Sequence, residues 1–178
     1  MLAPMSFAEA LALQGRAGPY PYCSHRIRNI ISGGQTGVDG AALDWAIERG
    51  IDHGGWCPRG RMAEDGVIPA HYNLTETDET ESWVRTQRNV RESDATVIIT
   101  FELAGGSQET ADCVAKTCKQ RFHILSALSY DVGYVLRGFV WMFGLEVVNF
   151  AGSRESEEPG IYGFSRDALT RAFPKEWI

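Results

Sequence analysis

The strand-like run Ile27–Ser32 passes directly into Gly33-Gly34-Gln35-Thr36-Gly37, and Asp39 follows where the spacing predicts a helix. A strand, a tight glycine turn and a helix N-terminus make a concave set of backbone N–H donors. The helix dipole favours negative charge at the same place. The chemistry this predicts is the holding of a phosphate or another oxyanion. Without a ligand, the same residues make a strand-to-helix turn in which glycine supplies unusual dihedrals and Thr36 caps the helix.

Two more segments of this kind occur. Gly105-Gly106-Ser107 follows the run Asp94–Thr100, and Ala151-Gly152-Ser153-Arg154 follows Leu145–Phe150. Ser107 reads as a helix N-cap. Three such segments at strand ends are more specific than one. Neither GxGxxG nor GxxxxGK[ST] occurs, so neither the dinucleotide nor the P-loop signature applies.

Arg85, Arg88 and Arg91 lie three apart and share one face of a predicted helix. Such a row is ordinarily a solvated face, but a guanidinium there can also reach an anion as a fork-shaped donor. In Trp56-Cys57-Pro58-Arg59-Gly60-Arg61 the arginine pair either brings positive charge to a pocket mouth or lies on an exposed loop. Cys57 reads as a small buried apolar residue. Glu64, Asp65, Glu109 and Asp112 form no convincing acid–base pair, and no Ser-His-Asp order or nucleophile elbow is present. The cysteines at 23, 57, 113 and 118 have no zinc-site spacing, so reduced cytosolic thiols are expected.

The elements that must position these residues alternate. Strands are expected at Ile27–Ser32, His53–Cys57, Asp94–Thr100, Phe122–Leu125 and Leu145–Phe150. Helices are expected from Val38 to a stop at Gly50, from about Glu79 to Glu92 with Asp78 and Glu81 as a capping box, and from Gly105. The stripe of that third helix is Ala111, Val114, Ala115 and Cys118. Two more helices are expected, one at Tyr130–Phe143 and one opening at Ser165 as N-cap, with Phe164 and Leu169 as a hydrophobic staple and Pro174 as terminator. Arg59–Tyr72 reads as a loop. Residues 1–25 read as an N-terminal extension with a short helix at Ser6–Leu13, and residues 26–178 as one α/β domain. The expected architecture is a Rossmann-like parallel sheet with helices on both faces, binding its ligand beyond the strand C-termini.

The chain has 178 residues, 44% of them hydrophobic, which is enough for one real core. A net charge of -6 excludes the basic footprint of a nucleic-acid binder and a polybasic membrane patch. No apolar run is long enough for a membrane span, and the N-terminus does not read as a secretory signal, so a cytoplasmic protein is expected.

The segments SGGQTGVDGAALDWAIERGIDHGGWCPRGRMAEDG, RTQRNVRESDATVIIT and NFAGSRESEEPGIYGF together resemble the family of molybdenum cofactor carrier proteins, nearly throughout Ile27 to Phe164. That resemblance implies a Rossmann-like fold and storage or protection of the molybdenum cofactor, a phosphorylated molybdopterin, without turnover. The chain departs from the family pattern at Gly40, where Arg is usual, and at Ser107-Gln108-Glu109-Thr110.

The chain is also distantly similar to the lonely-guy phosphoribohydrolases, formerly labelled lysine decarboxylases. Arg85 precedes Asp94 by nine residues as their essential Arg precedes its Asp, while Gly152-Ser153 and Pro159-Gly-Ile-Tyr162 match elements found at their N-terminal end. This order implies a circular permutation that gathers Gly33, Gly105 and Gly152 around one crevice with Arg85 beside it. The third glycine and the Glu of those hydrolases' Gly-rich motif are absent.

The candidate cofactor-binding residues are therefore Gly33, Gly34, Gln35, Thr36, Gly37, Asp39, Arg85, Gly105, Gly106, Ser107, Gly152 and Ser153, with no catalytic or metal-ligating residue among them. The first expectation is a non-enzymatic molybdenum cofactor carrier that meets molybdenum enzymes or cofactor-synthesis proteins. The alternatives are a sensor for an ADP-ribose-like or NAD-derived nucleotide and a nucleotide phosphoribohydrolase. The apolar segment Tyr130–Phe143 and the resemblance together predict a homo-oligomer.

Overall fold

The computed structural model describes residues 27–117, 121–126 and 131–175. The expected extension 1–25 with its short helix, Cys23 and Cys118 lie outside these. Five strands form one parallel sheet: β1 (Asn29–Ile31), β2 (Asp52–Gly54), β7 (Ala95–Thr100), β8 (Arg121–Ser126) and β9 (Val147–Gly152). Two minor pairs join β3 (Trp56–Cys57) to β6 (Thr75–Glu76) and β4 (Met62–Ala63) to β5 (Gly66–Val67). The helices are α1 (Val38–Arg49), α2 (Ser82–Arg91), α3 (Gly105–Thr117), α4 (Val132–Phe143) and α5 (Ile161–Ala172).

The strand order is β2-β1-β9-β7-β8. The chain runs outward from β1 through α1 to β2 at one edge, and from β7 through α3 to β8 at the other. The last strand, β9, then enters the middle, pairing Asn29 with Val147 on one side and Ala95 with Val148 on the other. Asp94 fixes that entry, because its carboxylate accepts the N–H groups of Glu146 and Val147 at 3.0 and 2.8 Å. Strand β7, paired on both sides, is buried at every residue, as expected of a parallel strand covered on both faces.

Alternate strand residues serve opposite faces. Ile30, Ala95, Val97, Ile99, Val148 and Phe150 enter the main core with α1, α4 and α5. On the other face α3 packs on β7 and β9, and α2 packs on α3. A smaller apolar cluster of Leu43, Cys57, Ile68 and Tyr72 anchors the segment between β3 and β6. Gly50 ends α1 in the left-handed conformation (φ 67°), where a glycine stop was expected.

Several local expectations are corrected. The strand expected at His53–Cys57 is two, β2 and β3, in different sheets, broken at Gly55 (φ 127°). A side chain at Gly55 would meet the carbonyl oxygen of Ser32 at 2.2 Å, so the chain turns there against β1. The loop expected at Arg59–Tyr72 contains the β4–β5 hairpin. No side chain caps α2 at Glu81, so the capping box does not form. Ala115 is exposed, and the buried stripe of α3 is Ser107, Thr110, Ala111 and Val114. Helix α5 begins at Ile161, one turn earlier than expected, which leaves Ser165 buried inside it. Glu155 caps that start, its carboxylate accepting the N–H groups of Gly160 and Tyr162 at 2.6 and 2.9 Å.

Candidate functional site

Because β9 lies between β1 and β7, the three glycine segments end up side by side at the C-terminal edge of adjacent strands. A narrow cleft forms there between the β1 turn, the β9 end and helices α2 and α3. Gly33, Gln35, Asp39, Arg85, Gly106 and Gly152 of the expected residues line it, together with Ser82, Thr86, Asn89, Glu109, Thr110, Asn149, Ala151 and Arg154. Its free volume is about 20 Å³, roughly room for one water. It opens onto a pocket of about 210 Å³ lined by Gly33, Gln35, Pro58, Arg59, Met62, Thr80, Ser82, Arg85 and Arg154. Three guanidinium groups thus come to one pocket from three separate segments.

Arg85 is the organising side chain. Its Nη1 donates to Asp39 Oδ2 at 2.9 Å, with the two side chains only 14% and 5% exposed. The guanidinium lies directly on Gly33, where an added Cβ would fall 1.5 Å from Nη1. A side chain at 33 would therefore displace the guanidinium from its place beside Asp39. Arg85 Nε is enclosed and finds no acceptor among the described residues. A buried charged donor without a partner is costly unless something else supplies one, so this atom points to an anionic or carbonyl ligand.

The glycine turn itself is partly self-satisfied. Asp39 Oδ2 also accepts Gln35 N–H at 3.2 Å, and Gln35 Oε1 accepts the N–H groups of Thr36 and Glu64 at 3.0 and 2.9 Å. Two of the turn's donors are thus taken by the chain's own acceptors. Thr36 does not cap α1: Gly37 holds that position with no side-chain cap, and Thr36 Oγ1 donates to Glu64. Burial by itself would raise the Glu64 carboxyl, but donation from Ser156 and Thr36 holds it below the usual carboxylate range. Gly34 and Gly37 are packing positions. A Cβ at Gly34 would meet Leu74 at 2.5 Å, and one at Gly37 would meet Ser153 O at 2.4 Å.

At the end of β7 the chain provides its own anion. Glu158 accepts the N–H groups of Phe101 and Glu102 at 2.7 and 2.8 Å and the Thr100 hydroxyl at 2.9 Å. Burial alone would raise its carboxyl; these donors and the Ser153 hydroxyl outweigh that and lower it. Ser153 is buried in this network through Thr100, 2.9 Å away, and does not line the cleft. Ser107 sits inside α3 and is not its N-cap: its Oγ donates to Ala104 O at 2.7 Å and accepts Ala104 N–H at 3.1 Å. Gly105 lies against the Glu157 carboxylate, 2.7 Å from where its Cβ would be.

The chain belongs to the circularly permutated YpsA SLOG family. The family model matches residues 30–173, from β1 through α5. The chain is also similar to a solved structure from Syntrophus aciditrophicus SB titled "Putative molybdenum carrier protein", with 35% identity over 82% of this chain and 94% of that one and a TM-score of 0.76. No curated protein matches the chain.

Membership in a permuted SLOG family accounts for the strand order, since the central β9 comes last in sequence. It also accounts for residues that sequence reading missed. Arg154 follows β9 directly and reaches the cleft because β9 is central. Ser82, Thr86 and Asn89 share a helix face with Arg85, a spacing visible in the sequence once Arg85 is placed. The arginine pair divides: Arg59 lines the pocket, while Arg61 donates to the carbonyls of Ile68, Leu74, Pro69 and Tyr72 and braces the loop. Burial raises the Cys57 thiol, with Arg61 and Arg85 opposing, as suits an inert core residue. Among the described residues no three His, Cys, Asp or Glu side chains gather as a metal site, and no helix is long and apolar enough to cross a membrane.

Proposed function

We propose that this protein binds and shelters the molybdenum cofactor, with the ligand's phosphate or oxo-metal oxygens in the pocket of Arg59, Arg85 and Arg154. The observation that carries this is the enclosed, acceptor-less Arg85 Nε at the junction of the cleft and that pocket. A guanidinium fork suits phosphate and oxyanion oxygens. Gln35, Ser82 and Thr86 offer neutral partners for amide-like ring edges. Molybdenum is cargo here, arriving on its own organic ligand. Asp39 is neutralised by Arg85, which leaves Glu109, among the described residues, as the cleft's carboxylate without an ion-pair partner. Binding without turnover fits that set better than acid–base chemistry, which calls for a second group with matched geometry. Self-association belongs to the same proposal, and sedimentation of the full chain tests it.

The decisive experiment is anaerobic purification in the presence of molybdenum cofactor, followed by assay of retained pterin and molybdenum. The expected result is roughly equal retention of both, lost in Arg154→Ala, a variant that leaves the Asp39–Arg85 pair intact. Absence of retention, with thermal stabilisation by AMP or ADP-ribose, would replace the carrier with a nucleotide sensor. Release of free base from a nucleoside monophosphate would replace it with a hydrolase.

A further inference from the structure

Beside the cleft, on the side away from Arg59, a groove of about 740 Å³ runs between α2 and α3. On α2 it is lined by Trp83, Gln87 and Arg91, spaced four apart along one ridge, and on α3 by Asp112, Cys113 and Lys116. Ser82, Thr86 and Glu109 line both this groove and the cleft, so the two are neighbouring parts of one furrow. Trp83 is 61% exposed, and it makes no ring contact among the described residues. A large aromatic side chain held open on a groove wall has no part in the core.

Volume decides what the furrow holds. Sites for drug-sized ligands run from about 300 to 1,000 Å³. The arginine pocket, at about 210 Å³, takes an anionic head but not a whole phosphorylated heterocycle, whereas the adjoining groove has the room. We infer that the α2–α3 groove is the ring subsite of the same ligand site, with a planar heterocycle stacked on Trp83 while its anionic end reaches Arg85 and Arg154 past Ser82 and Thr86. This rests on the anion-binding part of the proposed function, and not on molybdenum. The ligand class is a planar nitrogen heterocycle joined to a phosphate or oxyanion by a spacer that passes Ser82 and Thr86, which line both the groove and the cleft. Arg91 and Lys116 balance Glu109 and Asp112 along the groove, so ring contact there is governed by stacking and hydrogen bonding more than by net charge.

The test uses the full chain with three probes: a pterin phosphate, AMP and inorganic phosphate. Trp83→Ala is expected to weaken the better of the two ring-bearing probes about tenfold, in line with base–aromatic stacking, and to leave phosphate binding unchanged. Arg154→Ala is expected to weaken all three. Trp83 is exposed, so its replacement leaves folding intact, which the thermal midpoint verifies. Equal affinity of wild type and Trp83→Ala for both ring-bearing probes would overturn the ring subsite. A Trp83-dependent gain for AMP but not for pterin phosphate would keep the subsite while removing the cofactor reading, so the two fail separately.

Discussion

At the scale of single residues the site is organised by charge that has been taken out of water. Asp39 and Arg85 are buried together, and removing one partner leaves the other charged and uncompensated. Arg85→Met is therefore expected to lower unfolding free energy by about 3 kcal/mol in urea titrations. Asp39→Asn added to it should cost much less than its own effect in the wild type; strict additivity would mean that the pair is not coupled. Glu158 makes a second, pH-dependent contribution. Its folded-state carboxyl titrates below the usual value of 4.5 because the donors of Phe101, Glu102, Thr100 and Ser153 outweigh burial. The unfolded chain then binds the proton more readily. The stabilisation is fully present above the unfolded value and is lost as pH falls through the folded one. Glu158→Gln should thus be less stable than wild type by about 1 kcal/mol near neutrality, and the gap should close in strong acid. A gap that persists in acid would assign the loss to packing. Gly33, Gln35, Asp39, Arg85, Gly106 and Gly152 were legible as neighbours because each follows a strand end or a recognisable spacing. A hydroxyl near a helix start looks the same in sequence whether it caps, faces a carboxylate or is buried in a network, and so the caps expected at Thr36 and Ser107 do not form and Ser153 lies beside Thr100. The anions that occupy the chain's own donors, Glu64 and Glu158, came from distant loops that no local pattern announces.

At the scale of elements, strands and helices were readable wherever hydrophobic period and glycine stops agreed. They failed where a loop imposed its own geometry. Helix α5 starts early because Glu155 caps it from the preceding loop, and β2 and β3 separate because Gly55 must turn beneath Ser32. The apolar breadth of α4 is explained in large part within the chain: Val132, Leu136, Phe139 and Val140 enter the main core, with Val135 and Phe143 packed against it. Helix α4 lies directly on α5, where a Cβ at Gly133 would fall 2.5 Å from the Arg171 Cβ and 3.0 Å from its backbone. Gly133→Ala gains helix propensity of about 1 kcal/mol but must push two helices apart, so a net loss of about 1–2 kcal/mol is expected. Gly163, on α5, has open space around its Cβ position. Gly163→Ala should therefore raise the thermal midpoint, stabilising by about 0.7 kcal/mol. A stabilising Gly133→Ala would show that the α4–α5 contact is looser than described.

At the scale of the whole molecule, the permutation makes the last strand the central one. Without β9, β1 keeps only β2 and β7 keeps only β8, giving two separate two-stranded pieces. The main core would lose Val148 and Phe150 from the middle of the sheet, and with α5 also Ile161, Ala168, Leu169 and Ala172. Isolated two-stranded pieces are marginal in water, and parallel ones cannot close through a short hairpin. The site disappears as well, because Asn149, Ala151, Gly152 and Arg154 form one wall of the cleft. A chain ended at Leu145 is accordingly expected to show no cooperative urea transition and to be digested rapidly by protease throughout β1–α3. Adding residues 146–178 back as a separate peptide should restore protection of β1 and β7 together, since β9 pairs with both. Protection of β7 and β8 alone in the shortened chain would show that this half of the sheet folds independently, and that β9 docks onto a preformed unit.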